Sequence, residues 1–103
     1  MKNETRRNVR VTCGAPASAE GPRGPIRGVC RDLSIGGMFF VGIALPVGRS
    51  VDFEVQLPGG AVACRAEVRY HHSYREVPGM GVRFTRIAQE DLSRIERYVA
   101  RAA

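Results

Sequence analysis

The stretch from Val51 to His71 limits the possible folds more than any other part of the chain. Val51, Phe53, Val55 and Leu57 alternate with Asp52, Glu54 and Gln56. A period of two puts one face of a strand in a core and the other in water. "PGG", Pro58 to Gly60, follows. Glycine reaches positive φ without strain, so this is a hairpin signal. The partner strand begins at once: Val62, Cys64, Ala66, Val68 and Tyr70 alternate with Ala63, Arg65, Glu67, Arg69 and His71.

Shorter strand-like runs precede this hairpin, at Ile26 to Arg31 and at Met38 to Val41 after a Gly-Gly pair. Val77 to Phe84 gives a turn and a further strand. Gly14 to Pro25, GAPASAEGPRGP, reads as a strand end followed by a surface loop. About six strands at this spacing favour a small antiparallel barrel or sandwich. From Gln89 the period changes. Leu92, Ile95 and Val99 recur at helical spacing with Tyr98 close to the same stripe, acids leading and arginines following. The spacing predicts a C-terminal helix over about 89–102 that packs on the sheet or caps a barrel mouth. Ala88 offers no capping side chain before it, a loss of ~1 kcal/mol. Ile87 and Leu92 are placed to act as a hydrophobic staple instead.

The 103 residues suit a single domain spanning 1–103, since domains commonly run ~100–150 residues. No apolar run approaches the ~18 residues of a membrane span, and no apolar h-region follows the charged N-terminus. Both absences predict a cytoplasmic protein. Cys13, Cys30 and Cys64 are widely spaced and odd in number, which argues for small buried thiols over a disulfide framework or a zinc site. The net charge of +6 makes an anionic partner plausible without choosing among nucleic acid, nucleotide and acidic protein.

Two short stretches carry the chemistry. In "RDLSIGGMFF", Asp32 and Ser34 stand two apart, so an extended backbone projects carboxylate and hydroxyl to one side. Gly36-Gly37 then allows a sharp turn and a close approach to bare N–H groups. A plain Asx or Ser turn explains the same residues. In "RRNVR", Arg6, Arg7 and Arg10 crowd the chain start. On its own that is a solvated basic tail.

Together, and in this order, the two stretches resemble the motifs of the PilZ domain family of bacteria, receptors for the second messenger cyclic di-GMP. Arg6 and Arg10 match Arg-x-x-x-Arg, and Asp32, Ser34 and Gly37 match Asp/Asn-x-Ser-x-x-Gly. The ending "GMGVRFTRIAQEDLSRIERYV" is similar to the family's last barrel strand and helix, so the resemblance covers nearly the whole chain. It implies a mainly β fold: a six-stranded antiparallel split barrel with a C-terminal α-helix. It also implies a site for cyclic di-GMP. Arg6 and Arg10 would clamp guanines and phosphates, with Arg7 auxiliary. Asp32 would accept from a guanine N1–H and N2–H₂, Ser34 would bond a guanine or phosphate, and Gly36 and Gly37 would leave room for the base. The arm of residues 1–10 would be mobile when empty and order over the ligand, offering a new surface to a downstream protein.

Other constellations carry less. His71 and His72 point to opposite faces of a strand and make a poor joint metal site, and Tyr70 and Tyr74 suit core or rim packing. Neither a nucleophile triad nor a phosphate-binding glycine loop is present, so the chain is expected to be no enzyme and to need no cofactor. Two alternatives remain: a PilZ-like interaction module without ligand binding, and a basic small barrel for single-stranded nucleic acid. A single lysine, and phenylalanines Phe39, Phe40, Phe53 and Phe84 in core-like phase, argue against the second.

Overall fold

The computed structural model describes residues 9–102. Six strands form: β1 (Val11–Gly21), β2 (Gly24–Leu33), β3 (Gly37–Val41), β4 (Ser50–Leu57), β5 (Gly60–His71) and β6 (Gly79–Ile87). Each pairs antiparallel with its neighbours, and the ladder closes into a barrel in the order β1-β2-β3-β6-β5-β4. A helix, α1 (Gln89–Ala102), follows. The mainly β barrel with a C-terminal helix expected from the sequence is the fold the chain adopts.

The central hairpin behaves as its alternation dictates. Leu57 pairs with Gly60 around Pro58-Gly59, and Gly60 takes a φ of 134° that a side chain would resist. Val51, Phe53, Val55 and Leu57 face Val62, Cys64, Ala66 and Val68 in the core. The alternation fails at Tyr70. The β5–β6 register shifts between Val68 and Tyr70, so Tyr70 leaves the inward phase and is 48% exposed.

Gly14 to Gly21 is strand, not loop. The only connection here is Pro22-Arg23, flanked by the Gly21–Gly24 pair. Small size misleads in this segment: Ala15, Ala17 and Ala19 are the inward residues of β1, at 7%, 7% and 0% exposure. They fill the barrel opposite larger side chains of the other strands. Pro16 sits one residue before the β4 ladder, which covers Ala17 to Ala19, and a missing N–H is tolerated at such an edge.

The helix caps the barrel rather than presenting its stripe to solvent. Ile95 and Val99 are buried in the same cluster as Phe53 and Leu57, and Tyr98 packs against it. Burying the two aliphatic side chains contributes ~1.5–3 kcal/mol each. Leu92 N donates to Ala88 O, so Ala88 supplies its carbonyl to the first turn though it has no capping side chain. The Asp91 carboxylate accepts from Ala63 N on β5 at 3.4 Å and from Arg94 at 3.0 Å, which fixes the helix against the sheet.

The cysteines are free, as expected, but they are not alike: Cys30 and Cys64 are buried and Cys13 only partly so. Cys13 lies in the bulge between Thr12 and Ala15 where the β1–β2 register shifts. Cys30 Sγ donates to Asp32 O at 3.4 Å. The neighbouring Cys30 thiol, and after it the Tyr98 hydroxyl, lower Cys13 to about 6 against partial burial. The interaction with Cys13, with burial, pushes Cys30 up. Burial pushes Cys64 up to about 12.

Two outcomes follow from these features. A lowered Cys13 exposes thiolate at neutral pH, so iodoacetamide should modify it first, with a rate that rises through pH about 6 and is flat above. A rate still climbing through pH ~8.5, as for an ordinary thiol, contradicts this. Separately, the Tyr74–Val77 bridge closes through Arg75 and Glu76 at φ of 50° and 69°, left-handed values that side chains resist. Glu76→Gly should therefore raise stability by ~1 kcal/mol in urea denaturation; a lowered midpoint would refute the strain.

Candidate functional site

Pairing of Thr12 with Asp32 sets the start of β1 beside the end of β2. Arg10, just before β1, is thereby carried to Asp32, and its Nη1 donates to Asp32 Oδ1 at 2.8 Å across a sequence gap of 22. The Arg10 and Asp32 side chains keep 45% and 27% exposure, so both remain reachable from solvent. Arg6 and Arg7, the other arginines expected at this site, lie outside the described residues.

Ser34, Gly36 and Gly37 build the loop between β2 and β3. Ser34 is 3% exposed. Its hydroxyl donates to Gly37 O and accepts from Gly37 N, both at 3.2 Å, and its backbone N donates to the same carbonyl at 2.9 Å. The side chain therefore points into the loop and is fully engaged there. A Cβ on Gly37 would stand 2.1 Å from Val82 O, so glycine is required for β3 to approach β6. Gly36 O accepts from Phe84 N at 2.9 Å, a second tie from the loop to β6. The expected ligand contact of Ser34 and the expected space at Gly37 thus have internal counterparts, and the Ser turn read from the sequence is present.

Strand register arranges the outer face in front of this loop. One row runs Asp32, Phe39, Gly81, Tyr70 across β2, β3, β6 and β5. Beside it runs Gly37, Arg83, Glu67. In the first row Phe39 is buried outside the barrel, not in it. Tyr70 stacks on it at 6.4 Å between centroids and 12° between planes, and His72 covers it from the side at 6.1 Å. Gly81 lets this happen, because a Cβ there would stand 2.1 Å from the Tyr70 ring. Tyr74 completes the patch under the Arg31 guanidinium, 4.2 Å from its centroid. In the second row Arg83 donates to Glu67 at 3.2 Å, and Arg69 approaches the same carboxylate oxygen at 3.9 Å.

Two hollows result. An open cleft of ≈760 Å³ lies between Arg10, the Ser34–Gly37 loop, Arg69, Tyr70, Arg83 and Arg86. A shallower one of ≈260 Å³ lies between Asp32, Arg31, Phe39, Tyr70, His72 and Tyr74. Tyr70 borders both. The site thus combines guanidinium forks, the partly exposed carboxylates of Asp32 and Glu67, and aromatic rings. Such a set suits an anion that carries a planar base with paired N–H donors. Arg69, Arg83 and Arg86 were not picked out in the sequence. Arg69 occupies an outward phase of the long alternation and Arg83 follows Val82 in "GMGVRF", but only the register puts them beside Gly37.

The histidines face apart, as expected. His71 Nε2 donates to Leu45 O at 2.6 Å, while His72 lies on Phe39. Among the described residues no group of three or more potential metal ligands forms, and no helix is long and apolar enough to cross a membrane.

A barrel of this order, with this loop and this arginine–aspartate contact, defines a class. The sequence matches the PilZ domain over residues 4–101, and the chain belongs to that family. Its fold is similar to the Bacillus subtilis inhibitor of motility MotI/DgrA, with a TM-score of 0.81 at 24% identity over 90% of this chain and 48% of that one. It is similar to the PilZ domain of YcgR from Escherichia coli with c-di-GMP, at 0.76 and 17% over 94% and 90%. It is also similar to the K. pneumonia MrkH–c-di-GMP complex, at 0.77 and 16% over 93% and 50%. This chain spans about half the length of the MotI/DgrA and MrkH chains. Comparison with curated proteins gives no match.

The loop analysis makes two substitutions informative. Ser34→Ala leaves Gly37 N buried without its partner and should destabilise by ~1–3 kcal/mol. Gly37→Ala forces β3 off β6 and should destabilise by ~1–3 kcal/mol. Urea denaturation measures both, and a wild-type midpoint in either variant would overturn the loop's structural role.

Proposed function

We propose that this chain is a cyclic di-GMP receptor that signals to a protein partner through its ligand-bound surface. The observation that carries the reading is the Arg10–Asp32 contact at 2.8 Å. It joins the last residue of one family motif to the first of the other, at the rim of a cleft that no sequence-local arrangement would create. The family membership and the c-di-GMP in the YcgR and MrkH structures support the choice of ligand.

The chemistry is that of a divided clamp. Cyclic di-GMP carries two negative charges and two guanines. Arg10, joined by Arg6 and Arg7, offers forks that match guanine O6 and N7 or a phosphate. Asp32 accepts from guanine N1–H and N2–H₂, a donor pair found on guanine alone among the bases. Ligand entry exchanges the Arg10–Asp32 pair for contacts to base and phosphate. The pair is partly exposed, so little free energy opposes the exchange. Ser34, Gly36 and Gly37 hold the loop in shape and lend backbone to the ligand. The arm of residues 1–10 closes over the bound molecule, and arm, ligand and barrel together form the surface that a downstream protein reads. No step involves bond making or breaking, so the protein acts as a receptor rather than an enzyme.

One observation favours a second reading. The outward Tyr70 and the neighbouring Tyr74 among arginines are also a stacking platform for single-stranded nucleic acid. Calorimetric titration with cyclic di-GMP, GTP and a short single strand separates the two. Cyclic di-GMP alone should bind. Arg10→Ala and Asp32→Ala should each weaken it by ~10- to 100-fold, and hydrogen exchange of residues 2–10 should slow on adding ligand. Binding of the strand alone, with steep salt dependence, would replace this reading with the nucleic-acid one.

A further inference from the structure

The cleft has a second basic wall that neither family motif includes. On β5 and β6, Arg69, Arg83 and Arg86 face it, and Arg69 and Arg83 share the carboxylate of Glu67. The neighbouring Arg65 is engaged elsewhere, since Asp52 takes it at 2.9 and 3.2 Å. Among the described residues Arg86 makes no ion pair. Three guanidiniums against one carboxylate leave this wall formally at +2, opposite the two negative charges of a cyclic dinucleotide.

We propose that Arg83 is a further ligand-binding residue of this cleft, and that Glu67 is the carboxylate which a ligand phosphate must displace from it. The inference rests on the reading of the cleft as a cyclic di-GMP site. Three observations carry it. First, Arg83 pairs directly with Gly37 across β3 and β6, so it stands next to the motif loop, with no side chain of Gly37 between them. Second, its guanidinium is 58% exposed and held by Glu67 alone at 3.2 Å, which orients it without burying it. Third, Glu67 is shared: Arg69 reaches the same Oε1 at 3.9 Å, so neither arginine has the carboxylate to itself.

The physical consequence is competition. An exposed carboxylate–guanidinium pair is weak and easily exchanged. A phosphate carries more acceptor oxygens and meets an arginine fork with two parallel bonds. Incoming phosphate therefore takes Arg83 from Glu67, and the freed carboxylate turns to Arg69. Weak anions fail to make the exchange, so Glu67 acts as a threshold that selects against them. Glu67 is a positioning residue in this scheme; Arg83 makes the contact.

A double-mutant cycle tests the coupling. Cyclic di-GMP is titrated calorimetrically into the wild type, Glu67→Gln, Arg83→Ala and the double variant. Glu67→Gln should tighten binding ~2- to 5-fold, a gain that misfolding cannot produce. Arg83→Ala should weaken it by ~10-fold, and in its absence most of the Glu67→Gln gain should vanish. If the gain is equal with and without Arg83, Glu67 acts only through general charge and the proposal is overturned. Wild-type affinity in Arg83→Ala overturns it too, while leaving the receptor reading intact. A wild type that binds no cyclic di-GMP removes both readings at once.

Discussion

The seam between β3 and β6 is the contact on which the rest of the molecule depends. β3 has five residues, yet with the β1–β4 pairing it is one of the two seams that join the β1–β2 side of the barrel to the β6–β5–β4 side. A strand so short gains little from ladder hydrogen bonds, and two local devices compensate. Ser34 locks the preceding loop onto Gly37, and the absent Cβ of Gly37 lets the β3 backbone close on Val82 O. Both faces of the strand are then buried: Met38 and Phe40 inside the barrel, Phe39 outside under Tyr70. The seam also fixes the site, because Asp32 lies on one side of it and Arg83 on the other. Any change that moves β3 moves the two walls of the cleft relative to each other.

On the proposed reading, a motif serves binding while some of its members are spent on structure. The hydroxyl of Ser34 and the missing side chain of Gly37 serve the loop itself; they place Asp32 and the loop backbone. Under the proposed function, ligand contact falls to side chains at the rim, where exposure persists: Arg10, Asp32 and Arg83. A residue pattern reports that position matters without saying whether the atom faces inward or outward.

What was legible in the sequence follows the same division. The hairpin of Val51 to His71 was readable because each side chain's burial follows from its parity. Parity failed at Tyr70, where a bulge shifts the register, and bulges have no fixed residue signature. The β1 segment was misread as loop because alanine carries little hydrophobic signal, although Ala15, Ala17 and Ala19 keep a strict period of two. Arg10 and Asp32 were legible as a motif pair. Arg69 and Arg83 were not, since their nearness to Gly37 depends on two ladders and on where β5 bulges. Phe39 looked like core and is buried, but on the outer face, a distinction that needs the Gly81–Tyr70 arrangement to be seen.

The distribution of charge completes the argument. Asp52 holds Arg65, Glu67 holds Arg83, and Glu90 and Asp91 hold Arg94. Pairs this exposed are screened by water and hold the fold together only weakly. The Asp52 and helix pairs neutralise the barrel flank and the helix start, while the single Glu67 leaves guanidiniums in excess around the cleft. A net charge of +6 spread evenly would attract any polyanion to any face. Arg10, Arg69, Arg83 and Arg86 gather where β2, β3, β6 and β5 meet, and Asp32 there supplies an acceptor that a phosphate-only site would exclude. That carboxylate among arginines is the feature that distinguishes a site for a base-bearing anion from a site for phosphate alone.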